Sequence, residues 1–230
     1  MKRTLIVCGH GPGISEAVAQ KFGREGHPVA LVARNAERIG AAANALSGAG
    51  IKAQAFPCDL GNVDSVRTMV SEVKKALGPV GVLHWNAYAG GAGDLTTASS
   101  DELRTVLDVS VHGLVAAVQE VLPDLRAEKG AVLVTGGGFA FYDPKVDAAA
   151  VQWGAMGLAV GKAAQHKLVG LLNQKLKTDG IYVGEVVVLG SVKGTAFDNG
   201  SATLESSDIA NKFWDLYMAR AEMSVTFPSS

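Results

Sequence analysis

Residues 4–15 read TLIVCGHGPGIS, a short β-rich apolar run that leads through three glycines into a helix-period segment. Glycines let the backbone turn tightly and approach a pyrophosphate. The N-terminus of the following helix offers N–H groups and the positive end of its dipole. The stretch therefore predicts a dinucleotide-binding first βα unit, with a glycine-rich turn that binds no ligand as the plainer alternative. The predicted contacts are Gly9, Gly11, Gly13 and Ile14.

Outward from this loop, short β-rich runs alternate with longer segments of 3.6-residue period. The strand-like runs are 4–8, 28–32, 53–58, 80–85, 131–135, 181–188 and, more weakly, 224–227. The helical segments are 14–25, 35–48, 62–77, 100–127, 155–178 and 206–220. This alternation predicts right-handed crossovers and an α/β fold: a doubly wound, Rossmann-like domain whose parallel seven-stranded sheet carries helices on both faces.

Length and composition narrow the class of protein further. The 230 residues are 48% apolar and carry a formal net charge of −1, which gives no reason to expect a nucleic acid or a membrane surface as partner. We find no linker, signal peptide or long apolar run, so we expect one domain over residues 1–230 in the cytoplasm. The polar stretch 190–206 is long for a connection and could form a substrate lid.

The two cysteines, Cys8 and Cys58, each end an apolar run. Buried free thiols are the expected state at such positions, with a disulfide or a reactive thiol as the alternative.

The end of the second predicted strand bears on the choice of dinucleotide. An acidic residue there would bind the adenosine ribose and favour NAD(H), but the sequence has Ala33-Arg34-Asn35. The planar guanidinium of Arg34 could instead face a 2′-phosphate, or it could simply be a solvated arginine at a strand end. NADP(H) is therefore the preferred cofactor, and NAD(H) remains possible.

Taken together, these residues resemble the short-chain dehydrogenase/reductase family from about residue 5 to residue 209. The glycine loop resembles the family's TGxxxGIG, with Ser15 in place of its last glycine. Further segments resemble the family's adenine-binding aspartate, its NNAG, its PGxV loop and its late DIA helix start. In that order, they are Cys58-Asp59-Leu60, Trp85-Asn86-Ala87-Tyr88, Leu189-Gly190-Ser191-Val192 and Asp208-Ile209-Ala210. The resemblance implies that Asp59, Leu60, Asn86, Ala87, Gly190 and Val192 bind the cofactor.

The family's catalytic residues are where this chain departs. Lys162 matches the lysine of YxxxK, which the resemblance implies binds the nicotinamide ribose, but Leu158 stands at the tyrosine position. An isobutyl group cannot donate a proton. The family's serine falls within Thr135-Gly136-Gly137-Gly138, where only Thr135 has a hydroxyl, and Ser110 replaces its asparagine.

Other side chains could supply the missing proton. Tyr142 and Tyr88 follow predicted strands at the edge where ligands of such sheets bind, although lining an apolar pocket is the favoured role for each. Gln152 and Trp153 would shape the same pocket, with simple packing as an equal alternative for Trp153.

The five histidines suggest no metal site. We expect His10 to be a solvated turn residue, with phosphate contact when protonated as the alternative, and His84 to be a hydrogen-bonded core residue. His112 and His166 lack partners at metal-ligand spacing.

Two hypotheses about function remain. One is an NADP(H)-dependent oxidoreductase acting on a small carbonyl or alcohol substrate through a non-standard active site. The other is a dinucleotide-binding sensor or scaffold protein without redox turnover. The resemblance also implies a homodimer or homotetramer, packed through the helices near residues 100–127 and 155–178.

Overall fold

The computed structural model describes residues 2–228. All seven strands belong to one sheet in the order β3-β2-β1-β4-β5-β6-β7, and every neighbouring pair is parallel. The strands are β1 (Thr4–Cys8), β2 (Val29–Ala33), β3 (Ala53–Pro57), β4 (Val80–Trp85), β5 (Ala131–Gly137), β6 (Tyr182–Val188) and β7 (Ser224–Phe227). The predicted seven-stranded parallel sheet is confirmed. Because the strand order reverses between β1 and β4, a crevice for ligands is expected at their carboxyl ends.

Helices cover both faces of the sheet and bury one hydrophobic cluster on each. The helices are α1 (Ile14–Arg24), α2 (Ala36–Gly48), α3 (Val63–Leu77), α4 (Ser100–Leu107), α5 (Gly113–Glu128), α6 (Pro144–Gln152), α7 (Met156–Leu176) and α8 (Ser206–Ala219). Helices α1, α2 and α8 pack on one face, and α3, α5 and α7 pack on the other. The doubly wound arrangement therefore agrees with the sequence pattern.

Two helical features differ from the prediction. The segment expected as one helix over 100–127 contains a π-helical turn, Asp108–His112, between α4 and α5. Helix α6 was missed, although Asp143 caps its first turn by accepting from the backbone N–H groups of Lys145 and Val146. Its signal was an Asp-Pro start, which is a common beginning of a helix.

The stretch Ser100–Glu128 is long and apolar enough, by length and composition alone, to cross a membrane. In the fold, Leu114, Val121 and Leu125 are fully buried in the hydrophobic cluster that α3 and β4 share. Packing inside the protein accounts for its apolar composition.

Both cysteines are buried free thiols, as expected. Burial is the main reason that the pKa of the Cys8 thiol lies well above its usual value.

Candidate functional site

The glycine loop between β1 and α1 has a backbone conformation in which a residue with a side chain would be strained. Gly9 and Gly13 have φ values of +81° and +92°. A Cβ on Gly9 would lie 2.5 Å from the Cα of Ala87, and one on Gly13 would lie 2.5 Å from Cγ2 of Thr195. The backbone N–H groups of Gly9 and His10 both donate to the carbonyl of Val32 at 2.9 Å. The loop is thus fixed between β2 and the segments that follow β4 and β6.

The N-terminus of α1 opens directly from this loop. Gly13 is its N-cap residue and no side chain caps it, so its first N–H groups remain for an anion. Ser15 is buried, and its hydroxyl accepts from the N–H of Gly11 at 2.9 Å and donates to the carbonyl of the same residue at 3.0 Å. The serine that departs from the family's pattern therefore closes the turn. A Cβ on Gly11 would meet nothing within 4 Å, so the loop is open on that side.

His10 differs from its predicted solvated position, because its side chain is buried. Its Nε2 lies 2.7 Å from Oε2 of Glu16 on the first turn of α1. The hydrogen bond from His10 is the main reason that the pKa of Glu16 is lowered. His10 and Glu16 are six residues apart, which lets the side chain of the turn residue pair with that of the first helical turn.

Two arginines follow β2: Arg34 directly after the strand and Arg38 in the first turn of α2. Arg34 is exposed, and within residues 2–228 its guanidinium makes no hydrogen bond or ion pair. Arg38, which the sequence reasoning missed, donates from Nη2 to the carbonyl oxygen of His10 at 2.9 Å. Asn35 caps α2 by accepting from the backbone N–H of Arg38, so cap spacing places Arg38 in the first turn of α2, but no local pattern in the sequence places it over the loop.

The segments after β3 and β4 reach the same crevice. Asp59 is exposed and accepts from the backbone N–H of Gly61 at 3.0 Å, while Leu60 is buried. The backbone N–H of Asn86 donates to the carbonyl of Cys8 at 2.9 Å, and its side-chain amide donates to that of Gly9 at 3.3 Å. Asn86 and the adjoining Ala87 are therefore joined directly to the glycine loop.

Lys162 projects from α7 toward the end of β5. Its Nζ donates to the carbonyl oxygen of Thr135 at 2.7 Å and to Oε1 of Gln165 at 3.1 Å. Desolvation by burial lowers the pKa of Lys162 to about 8, and the buried carboxylate of Glu185 on β6 opposes this shift. Gln165 was not singled out from the sequence, although a glutamine three residues from a lysine shares its helix face.

Within residues 2–228, no side chain at the family's other catalytic positions makes a hydrogen bond to Lys162. Leu158 is half-buried one turn before the lysine. A Cβ on Gly137 would lie 3.7 Å from Cγ of Lys162, so this glycine occupies the place where a serine would face the lysine. The Thr135 hydroxyl is instead buried on the other face, 3.1 Å from Nε2 of His84. Ser110 is buried in the π-helical turn against Gly161.

The two tyrosines weighed as proton donors lie in different surroundings. Tyr142 was interpreted as a pocket-lining residue, but its side chain is fully exposed because the loop before α6 points it into solvent. Tyr88 is partly exposed and packs against Phe197 with ring centroids 5.7 Å apart, and burial raises its pKa. Trp153 is largely exposed and meets Phe139 edge-on, and Gln152 is exposed beside it.

The stretch 190–206 folds back across the glycine loop. Gly190 has φ +145°, and Val192 is buried and forms a parallel bridge with Leu204. Thr195 lies against Gly13, and its hydroxyl donates to the carbonyl of Val192 at 2.8 Å. The hydrogen bond from Thr195 therefore joins Val192, one of the two predicted contacts in this stretch, to the residue that packs against the glycine loop.

His84 is a buried, hydrogen-bonded core residue, as expected. Burial lowers its pKa to about 3, and the positive charge of Lys162 adds to this effect. An unfolded histidine titrates near pH 6.5, so the stability that depends on neutral His84 is present above that pH. It is lost as the pH falls toward 3.

We therefore expect His84→Leu to flatten the acid side of the pH–stability profile. Wild-type protein should lose about 3 kcal/mol of unfolding free energy through this residue between pH 7 and pH 4. Urea denaturation at both pH values measures the loss. His112→Asn is the control, because His112 is 57% exposed and should leave the slope almost unchanged. Equal acid losses in wild type and His84→Leu would contradict the expectation.

Within the described residues 2–228, no group of three or more His, Cys, Asp or Glu side chains is placed to hold a metal ion.

Comparison with known proteins gives consistent matches. The family model for short chain dehydrogenases matches residues 3–204. A meso-2,3-butanediol dehydrogenase from Serratia marcescens is 28% identical over 184 residues, which is 80% of this chain and 69% of that enzyme. A short chain dehydrogenase from Burkholderia cenocepacia, solved in complex with NADP, superposes with a TM-score of 0.85 at 25% identity, covering 97% of this chain and 95% of that one.

An NADH-dependent reductase responsible for alginate metabolism superposes with a TM-score of 0.82. At 22% identity, with 99% of this chain and 96% of that chain covered, it shows a shared fold.

Proposed function

The chain belongs to the short chain dehydrogenase family, and from that premise we propose that it is an NADP(H)-dependent oxidoreductase acting on a small carbonyl or alcohol substrate. The observation that carries the proposal is the position of Lys162. Its ammonium lies at the carboxyl end of β5, held by Thr135 and Gln165. An ammonium has three N–H donors, so one remains for a ribose hydroxyl.

The residues of the site fit a bound dinucleotide. The strained glycine loop and the uncapped start of α1 suit a pyrophosphate, and the open side of Gly11 leaves room for it. Arg34 and Arg38 supply positive charge where an adenosine 2′-phosphate would lie. In this proposal Asp59 and Leu60 adjoin the adenine, and Asn86, Ala87, Gly190 and Val192 adjoin the nicotinamide half.

NADPH supplies a hydride when bound, and the chain must position the substrate and provide a proton. Leu158 cannot donate one, and Tyr142 points into solvent. Tyr88, partly covered by Phe197, or a water molecule is the proton donor in this proposal, with Tyr142 and Ser110 less favourably placed. The raised pKa of Tyr88 keeps its hydroxyl protonated. The active site is therefore non-standard for the family.

The stretch 190–206 is proposed to act as a lid over this site, within one domain spanning residues 1–230. Thr195 against Gly13 and Phe197 against Tyr88 support this role. We also propose a cytoplasmic homodimer or homotetramer packed through α5 and α7. Val160 and Leu171, which are exposed on α7, offer apolar surface for that contact.

A second function is favoured by one observation. Leu158, Gly137 and Ser110 together remove the proton donor and its usual neighbours, while Lys162 and the glycine loop are retained. This pattern suits a dinucleotide-binding sensor or scaffold protein, because loss of a general acid typically costs about 10²–10⁴ in rate. Measured turnover with NADPH across a panel of carbonyl compounds would separate the two functions.

The cofactor preference is tested by titrating NADPH and NADH against tryptophan fluorescence. We expect tighter binding of NADPH, and we expect Arg34→Ala to weaken NADPH binding by about tenfold while leaving NADH binding almost unchanged. Arg67→Ala is the control, because it removes an arginine of α3 that pairs with Asp64 of the same helix and Glu120 of α5. If wild-type protein bound neither dinucleotide, the proposal would be wrong.

A further inference from the structure

Gln165 is a buried polar side chain whose two ends are both hydrogen-bonded. It is 1% exposed, its Oε1 accepts from Nζ of Lys162 at 3.1 Å, and its Nε2 donates to the carbonyl of Ala87 at 3.2 Å. A buried amide left unpaired would cost stability, so this orientation is strongly defined.

We infer that Gln165 is a positioning residue for Lys162: it fixes the ammonium so that its one remaining N–H faces the cofactor ribose. This inference rests on the proposed function. Within residues 2–228, the hydrogen-bonding partners of the ammonium are Gln165 and the carbonyl of Thr135. With the Thr135 bond alone, the flexible lysine stem could swing about a single contact.

Ser110, in the π-helical turn, does not hold the Lys162 ammonium, so Gln165 provides the side-chain contact. Ser110 stands where the resemblance would place an asparagine, and its hydroxyl lies against Gly161, 2.6 Å from where a Cβ of that glycine would be. Within the described part of the chain it makes no hydrogen bond to Lys162. Gln165 lies three residues after Lys162 on α7, which brings the amide to the ammonium without a change in the backbone.

The other end of Gln165 extends the connection to the glycine loop. Ala87 follows Asn86, which is joined to Cys8 and Gly9, and Ala87 packs directly against Gly9. The lysine for the ribose and the loop for the pyrophosphate are therefore held in one hydrogen-bonded unit.

Three other ionisable side chains surround Lys162 and influence its protonation. Glu185 on β6 lies beneath it and is paired with His166 on α7, while His84 on β4 approaches from the other side of the sheet. His84 is neutral above about pH 3. These three groups stay unchanged in the variants below, so a difference between variants belongs to residue 165.

The experiment compares Gln165→Leu, Gln165→Glu and wild type by two readouts. The first is the pKa of Lys162, followed by NMR of protein labelled with [¹³Cε]lysine and assigned by loss of the signal in Lys162→Met. The second is the Kd of NADPH from pH 6.5 to pH 9.5. We expect Gln165→Leu to lower the pKa of Lys162 by about 1 pH unit, because an acceptor that favours the charged form is lost. Gln165→Glu should raise it, because a carboxylate favours the ammonium.

The same variants should change dinucleotide binding in the same order. Near pH 7 we expect Gln165→Leu to raise the Kd of NADPH about tenfold, and the pH at which affinity declines should move downward with the lysine pKa. In Gln165→Glu that decline should move upward.

Asn173→Leu is the matched control, since Asn173 is also an amide on α7 and donates to the carbonyl of Val183 at 2.8 Å, away from Lys162. It removes one partly buried side-chain hydrogen bond and should leave the lysine pKa unchanged. Equal effects of Gln165→Leu and Asn173→Leu, or a lysine pKa unmoved in both Gln165 variants, would overturn the inference. Failure of wild-type protein to bind either dinucleotide would instead overturn the proposed function, and the NMR titration would still decide whether Gln165 holds Lys162.

Discussion

Gly113→Ala should lower the free energy of unfolding by about 3 kcal/mol, although alanine is the better helix former. Gly113 is the first residue of α5, and a Cβ there would lie 1.9 Å from the carbonyl oxygen of Leu60 and 3.1 Å from the ring of Trp85. The first neighbour is backbone and cannot rotate away, so α5 or the segment after β3 must shift. Urea denaturation at pH 7 measures the loss.

Gly40→Ala is the control for helix propensity. Gly40 lies within α2, and a Cβ on it would meet nothing within 4 Å. Alanine at that position should stabilise the protein by about 0.5–1 kcal/mol. Opposite signs for the two substitutions are the expected result. A neutral or stabilising Gly113→Ala would show that the contact between α5 and Leu60 is looser than the structure indicates.

Leu158→Tyr should raise kcat/KM for carbonyl reduction by about 10²-fold, because it restores a proton donor one helical turn from Lys162. Leu158 is half-buried on the helix face of the lysine, so a larger ring at that position can reach the end of β5. The comparison uses NADPH and a panel of small ketones and aldehydes, with rates measured at pH 7.

Leu158→Phe separates the hydroxyl from the ring. If the phenolic group is responsible, the phenylalanine variant should stay within a few-fold of wild type while the tyrosine variant rises. Adding Gly137→Ser to Leu158→Tyr should raise the rate further, since Gly137 faces the stem of Lys162. Equal rates in the tyrosine and phenylalanine variants would contradict this prediction and show that proton donation from position 158 does not limit turnover.

The fold was predictable because it depends on local patterns. Strands β1, β4 and β7 begin and end where the apolar runs do, and β5 differs only by extending to Gly137. The runs are short, most of them contain β-branched residues, and each of the first six is followed by a helical period, so the alternation itself specifies a parallel sheet. Helix α6 was missed because its hydrophobic pattern is weak, and the π-helical turn was missed because it depends on packing around Gly113.

The site was predictable only in part, for a physical reason. Glycines and a lysine at family spacing indicate the phosphate loop and the ribose end, because their roles follow from backbone freedom and charge. Gln165 and Arg38 act through partners 78 and 28 positions away in the chain, and no local pattern encodes such contacts. His10 was wrongly expected to be solvated because its pairing with Glu16 depends on the depth of the turn.

The two hydrogen bonds between Ser15 and Gly11 affect the entropy that the glycine loop loses when a ligand binds. With Ser15 holding both polar groups of Gly11, and Arg38 holding the carbonyl of His10, the loop is preorganised before any ligand arrives. A preorganised loop loses little conformational entropy on association, so more of the contact energy is expressed as affinity. Tight dinucleotide binding could therefore persist in a lineage while its proton chemistry changes, since the two properties depend on separate sets of residues.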